Sequence, residues 1–217
     1  YCTQVEFYDF DNKQITTLTS NECQFAYRDS IFKGSLHNKG IITQVLLSFP
    51  KEWQSNVNYH GLGDLVKNSS AKDIMFQVIR LRGSKLPDPK MLPNAGSFFK
   101  NPIISKGQFD KLKLKYPVMP HYPQANSDIK LAAGWLIEQA GLKGFRYKSV
   151  GVHDRQALVL VNYSDGLGSD IVGLAKFVQH KVQDKFGIKI TPEVRMVAKN
   201  GETSFESLVN NLQISGV

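Results

Sequence analysis

The sequence predicts an α+β fold in which two sets of strands flank a helix-rich insert. Three observations carry this. The first fifty residues fall into short β-type runs broken by turn residues. The middle of the chain holds segments with apolar residues at helical spacing, around one continuous apolar run, ALVLVN (157–162). The end, IKITPEVRMV (188–197), returns to β-type residues. Strands, then helices with a strand among them, then strands again suggest α+β with an insert near 87–187.

The elements follow in order. VEFYDF (5–10) and ITTLT (15–19), joined by the turn DNK, read as a hairpin. Thr19 precedes Glu22 by three residues, the spacing of a capping box, and predicts a short helix through Phe25. AYRDSIFKGS (26–35) has no clear period. GIITQVLLSFP (40–50) reads as a strand closed by Pro50, and the polar WQSNVNYHGLGDLVKN (53–68) as an exposed loop. Ser70 and Asp73 open a helix on which Ile74, Met75, Val78 and Ile79 share a face. The prolines of LPDPKMLPNAGS (86–97) cannot continue that helix and mark a boundary between two lobes.

Ser105 with Gln108 caps a helix carrying Phe109 and Leu112, which YPVMPHYP breaks. KLAAGWLIEQAG (130–141) reads as a helix ended by Gly141. ALVLVN is a buried strand. Ser169 caps a long helix whose Ile171, Ala175, Val178, Val182 and Phe186 form an apolar stripe, stopped by Gly187. The segment 188–197 reads as one or two strands.

With 41% hydrophobic and 21% charged residues in 217, the composition is that of a globular protein and argues against disorder. No apolar run approaches the roughly 18–20 residues that span a bilayer. The chain opens YCTQVEF, without a methionine or a signal-peptide pattern, and its first residues already read as a strand, so a piece of a longer chain is expected. Two cysteines, Cys2 and Cys23, make neither a disulfide framework nor a metal site, which points to the cytoplasm. The net charge of +8 draws polyanions, either nucleic acid or small phosphorylated ligands. The densest basic run, KLKLK (111–115), alternates with leucine and reads as a helix surface.

No P-loop and no dinucleotide-binding glycine fingerprint occurs; GLGDL (61–65) lacks the strand–helix context. LPNAGSFFKNP (92–102) carries more polar groups than a turn requires. Ser97, after Gly96, either caps a turn or acts as an acid toward a basic carbon. Arg28 in AYRDS either forms a surface salt bridge or clamps a carboxylate or phosphate. Glu193 in TPEVR either pairs with Arg195 on one face of a strand or takes part in chemistry. Tyr59 is a loop-tip aromatic that either stacks on a ligand or serves as an anchor. His153 has no metal-ligand spacing around it and reads as a structural histidine.

The order of AYRDSIFK, a tyrosine- and glycine-containing loop, KLPDPK, NAGSFFKNP, KLAAGWLIE, HDRQALVLVN and PEVR resembles the UDP-N-acetylenolpyruvoylglucosamine reductase family over nearly the whole chain. The resemblance implies a flavoprotein of peptidoglycan synthesis. NADPH reduces FAD, the flavin passes hydride to the enolpyruvyl double bond, and a serine protonates the neighbouring carbon. Ser97 matches that serine, and Arg28 and Glu193 match the two residues that complete the catalytic site. Tyr59, Lys85, Asn101 and Gln156 match positions that contact the UDP-sugar. Tyr27 and Arg195 fall near the ligand or flavin. Lys130, at the start of the KLAAGWLIE helix, is a phosphate candidate.

The same resemblance implies a domain plan. Residues 1–86, completed by 188–217, are the remnant of an FAD-binding α+β lobe, and 87–187 are an inserted α/β substrate-binding lobe. The glycine- and serine-rich segments that grip the flavin pyrophosphate are missing, so weak FAD binding and little reductase activity are expected of this chain alone. The expected partners are the UDP-sugar and the dinucleotide cofactors FAD and NADPH, with no nucleic acid, no membrane and a monomeric state. Two other readings are a non-catalytic UDP-sugar-binding module and a basic nucleic-acid-binding domain.

Overall fold

A computed structural model describes residues 1–57, 62, 69–124 and 126–212. The fold is α+β, with several antiparallel sheets and five α-helices among the described residues. It forms two compact units. The first runs through residue 57 and takes in residues 69 and 70; the second takes in Leu62 and continues from Ala71.

The first unit is a three-stranded antiparallel sheet of β1 (Cys2–Asp9), β2 (Gln14–Thr19) and β3 (Gly40–Leu47), in the order β2-β1-β3. The hairpin is the expected one. Val5 sits opposite Leu18 and Val45, and Phe7 opposite Thr16 and Ile42. Val5 and Phe7 are buried, and the Phe7 ring lies 5.7 Å from that of Phe32. Thr19 and Glu22 make the expected reciprocal bonds, with the Thr19 amide donating to the Glu22 carboxylate at 2.8 Å. The short helix does not follow, because Gln24 has φ +50 and a left-handed residue cannot continue a right-handed helix. β3 is an edge among the described residues, and Ile41, Ile42, Val45, Leu46 and Leu47 along it are all about half exposed.

The second unit begins with α1 (Ala71–Lys85). The helix forms where expected, but its apolar side is not covered: Met75, Phe76 and Ile79 stay about half exposed and no residue of the helix is buried. After it come β4 (Asn94–Ser97), β5 (Ile103–Ile104), α2 (Lys106–Lys115), β6 (His121–Pro123), β7 (Ile129–Leu131), α3 (Ala133–Gln139), β8 (Arg146–Tyr147), β9 (Val150–Val152) and β10 (Val159–Asn162). The chain then runs through α4 (Gly168–Phe186), β11 (Met196–Ala198), β12 (Gly201–Thr203) and α5 (Phe205–Asn210). β4, β10, β9 and β8 form one antiparallel sheet in that order, and β5, β7 and β6 another.

α4 packs against β9, β10, α3 and α5. It buries Val172, Leu174, Ala175, Val178, Val182 and Phe186, each of the larger ones contributing roughly 1.5–3 kcal/mol by leaving water. Gly187 ends it in the left-handed conformation at φ +68, as the sequence predicts. Its start differs: Leu167 is the cap position, and the Asp170 carboxylate accepts the Leu167 amide at 3.0 Å, so Asp170 rather than Ser169 satisfies the helix end. Ser105 caps α2 as expected, accepting from the Gln108 amide.

Two further segments depart from expectation. KLAAGWLIEQAG is not one helix. Residues 129–131 form the middle strand β7, and α3 starts only at Ala133. Residues 188–195 form no named strand; Pro192 makes a single bridge to Phe99, and β11 starts at Met196. Ile188, Ile190 and Phe205 nonetheless complete the core of the second unit.

Candidate functional site

The conspicuous LPNAGSFFKNP stretch is a clamped strand. The Asn94 side chain accepts the Gly96 amide at 2.9 Å and donates to the Leu92 carbonyl at 2.8 Å, folding the approach to Ser97. Gly96 adopts φ +73, and a Cβ there would meet nothing within 4 Å, so its conformation rather than lack of room calls for glycine. Ser97 pairs with Val159 of β10 and is exposed. Directly after it, Phe98 and Phe99 are buried edge-to-face with centroids 5.1 Å apart and anchor the strand in the core.

The other side of this strand is held by the segment carrying Glu193. The Phe98 amide donates to the Leu158 carbonyl at 2.7 Å, and the Phe98 carbonyl accepts the Glu193 amide at 2.8 Å. The Lys100 amide donates to the Thr191 carbonyl at 2.9 Å. Ser97 and a half-buried Glu193 are thereby brought to neighbouring antiparallel segments although they stand 96 positions apart in the chain. The Glu193–Arg195 ion pair considered from the sequence gives way to another. Residues 193–195 are not in a strand, so their two-residue spacing does not put them on one face. Arg195 instead makes a two-pronged pair with Glu202 of β12, Nε to Oε1 at 2.9 Å and Nη2 to Oε2. That hydrogen bond and the Glu202 charge raise the Arg195 pKa further above its ordinary value.

A second cluster surrounds the turn between β9 and β10. Gln156 is half-buried, and its Oε1 accepts the Leu158 amide at 3.4 Å. α3 abuts it closely: a Cβ at Gly134 would stand 3.2 Å from Gln156 Oε1. Asn101 accepts the Ala133 amide at 2.9 Å and so satisfies the start of α3 from a distant part of the chain. Lys130 lies on β7, where its ammonium is 5.7 Å from the Tyr122 ring centroid, so its placement at a helix N-terminus does not hold. Lys85 is the exposed last residue of α1, and the neighbouring Ser84 carbonyl accepts from the Arg155 guanidinium at 3.3 Å.

The first unit carries Tyr27 and Arg28. They sit at the tip of a tight turn closed by the Ala26 amide to the Asp29 carbonyl at 3.0 Å and the reverse bond at 3.3 Å. Arg28 has φ +58, a conformation that costs a side-chain-bearing residue energy, and its guanidinium is exposed 5.6 Å from the Tyr27 ring. Tyr59 lies outside the described residues. The sequence did not mark Tyr27 and Arg28 as a turn tip, since AYRDSIFKGS has no clear period. Asn101 capping α3 is invisible because its partner lies 32 positions away.

Among the described residues there is no group of three or more His, Cys, Asp or Glu that could hold a metal, and no helix long and apolar enough to cross a membrane. β10 leads into α4 through a turn that holds Gly166, with Gly168 as the first helical residue, but without the G-x-G-x-x-G spacing of a dinucleotide-binding turn.

A family model described as "UDP-N-acetylenolpyruvoylglucosamine reductase, C-terminal domain" matches residues 88–197. Curated proteins with the name UDP-N-acetylenolpyruvoylglucosamine reductase are similar to most of the chain. The one from Shewanella oneidensis is 48% identical over 204 residues, covering 94% of this chain and 60% of its own length. That of Pasteurella multocida is 44% identical over 209 residues, covering 96% and 61%. The crystal structure of the Thermus caldophilus protein of that name superposes with a TM-score of 0.51 at 21% identity, covering 87% of this chain and 51% of the other, a likeness of fold. The chain thus spans about 60% of the length of the curated relatives it matches.

Proposed function

Because the chain belongs to the UDP-N-acetylenolpyruvoylglucosamine reductase family, we propose that it carries the substrate-facing part of an oxidoreductase that converts UDP-N-acetylglucosamine enolpyruvate to UDP-N-acetylmuramate for peptidoglycan synthesis in the cytoplasm. The observation that supports this most is the bond from the Glu193 amide to the Phe98 carbonyl, which brings the carboxylate-bearing segment beside Ser97.

Ser97 is the proton donor. Hydride addition to the enolpyruvyl double bond leaves an enol-type carbanion, basic enough to take a proton from a hydroxyl held in reach. Glu193 stabilises or orients that intermediate. Arg28 binds the substrate carboxylate and offsets the charge that develops. Lys85, Asn101, Gln156 and Tyr59 contact the UDP-sugar, with Lys130 a further phosphate contact and Tyr27 and Arg195 near the ligand or flavin. The lobe at 87–187 holds the UDP-sugar, and 1–86 with 188–217 form the flavin-side part. FAD and NADPH would supply the hydride, and the residues named here would bind the substrate and deliver the proton. The chain alone is expected to show little turnover.

The family model matched, that of the C-terminal domain, leaves a second reading, a UDP-sugar-binding module without catalysis. Calorimetric titration with UDP-N-acetylglucosamine enolpyruvate tests both. Binding without turnover supports the module for this chain, turnover on adding FAD and NADPH supports the complete enzyme, and no binding removes the substrate assignment.

A further inference from the structure

The turn between β9 and β10 contains a buried imidazole that the proposed chemistry does not use. His153 is 7% exposed. Its amide donates to the Val159 carbonyl at 2.9 Å, which fixes its place at the end of the β9–β10 pairing. Its Nδ1 lies 3.3 Å from the Arg155 amide, and its Nε2 lies 3.4 Å from Asp154 Oδ1. An amide donates only to an unprotonated ring nitrogen, so this arrangement requires the tautomer with hydrogen on Nε2, directed toward Asp154.

Three connections leave this turn. The Arg155 guanidinium reaches the Ser84 carbonyl, one residue before Lys85. The Gln156 carbonyl accepts the Val159 amide at 3.0 Å, while its side chain faces the start of α3. Val159 pairs with Ser97, and the Leu158 carbonyl accepts the Phe98 amide. A change in the turn therefore reaches Lys85, Gln156 and the strand of Ser97 together.

We infer that His153 is a positioning residue for the proposed UDP-sugar site, its Nδ1 accepting the Arg155 amide and so setting the turn that presents Gln156 and ties it to the end of α1 beside Lys85. The inference rests on the reading of this chain as a UDP-sugar-binding protein, but the device itself is a property of the unliganded turn. Histidine is used here as a short, rigid acceptor sealed from water, which orders the backbone without placing a charge in the core.

The test compares His153→Leu, which keeps bulk and removes the acceptor, with His153→Asn, whose side-chain oxygen can accept the same amide. In the unliganded 217-residue chain, hydrogen exchange at the Arg155 amide is expected to accelerate about tenfold in His153→Leu and to return toward the parent rate in His153→Asn. The affinity for UDP-N-acetylglucosamine enolpyruvate is expected to follow, weakening about tenfold in His153→Leu with rescue in His153→Asn even where both variants melt at similar temperatures. Equal exchange in the parent and His153→Leu overturns the inference, as does equal loss of affinity in both variants. If the parent binds no UDP-sugar while exchange still separates the variants, the turn device stands and the substrate reading fails.

Discussion

The amide of Glu193 donates to the carbonyl of Phe98 at 2.8 Å, and this bond joins the two parts of the chain that carry the proposed acid and its carboxylate. Residues 98–100 and 191–193 exchange two backbone hydrogen bonds, which together form the bridge between Phe99 and Pro192. The site is thus held by main chain, and its side chains can be changed without dismantling it.

Ser97→Ala should test that separation. In a full-length relative carrying the equivalent change, flavin reduction by NADPH stays normal, and the reaction of reduced flavin with the enolpyruvyl substrate slows by about 10²–10⁴, the usual size of a lost general acid. Stopped-flow spectroscopy measures the two half-reactions apart. Equal turnover removes Ser97 from the mechanism.

Asn101→Ala should destabilise the chain by about 1 kcal/mol, because the Ala133 amide at the start of α3 loses its acceptor. Asn101→Asp keeps an acceptor and should stay near the parent in urea denaturation. A UDP-sugar affinity that falls in both variants separates a ligand contact from the cap.

Acid should weaken the fold in two stages. Burial holds the His153 pKa below its ordinary value, against the opposing pull of Asp154, and Arg155 lowers it further. The unfolded chain then takes up the proton first, so this contribution is complete above about pH 6.5 and declines as pH falls below it. The hydrogen bond from Lys148, then that from the Leu167 amide, lower the Asp170 pKa. Its contribution is complete above about pH 3.9 and is lost as pH falls through the lowered folded value. Urea midpoints against pH should show both stages in the parent, and only the second in His153→Leu.

The outer edge of β3 presents Ile41, Ile42, Val45, Leu46 and Leu47 with no pairing strand among the described residues. Such an edge templates pairing with another chain. The isolated chain should associate as its concentration rises, and Val45→Lys should reduce this in analytical ultracentrifugation. Unchanged association in the variant moves the contact elsewhere, with the exposed Met75, Phe76 and Ile79 of α1 the next surface to change.

The sequence disclosed elements whose signals are local. The hairpin, the Ser105 cap of α2, the stripe of α4 and its stop at Gly187 all arise from neighbours within a few residues. It misled where a distant partner decides. Lys130 joins a strand because Ile103 and Tyr122 flank it, and α3 starts late because Asn101 supplies its cap. Arg195 turns from Glu193 to Glu202 because a hairpin follows it. For the site, residue types and their order pointed to Ser97 and Glu193, but their adjacency required the backbone bonds between 98 and 193.

Arg28 occupies a left-handed turn position at φ +58, where glycine would rest without strain. Directed evolution that selects only for heat resistance should therefore favour Arg28→Gly, relieving roughly 1 kcal/mol. The survivors of such a screen would be sturdier proteins stripped of the cation assigned to grip the substrate's acid group.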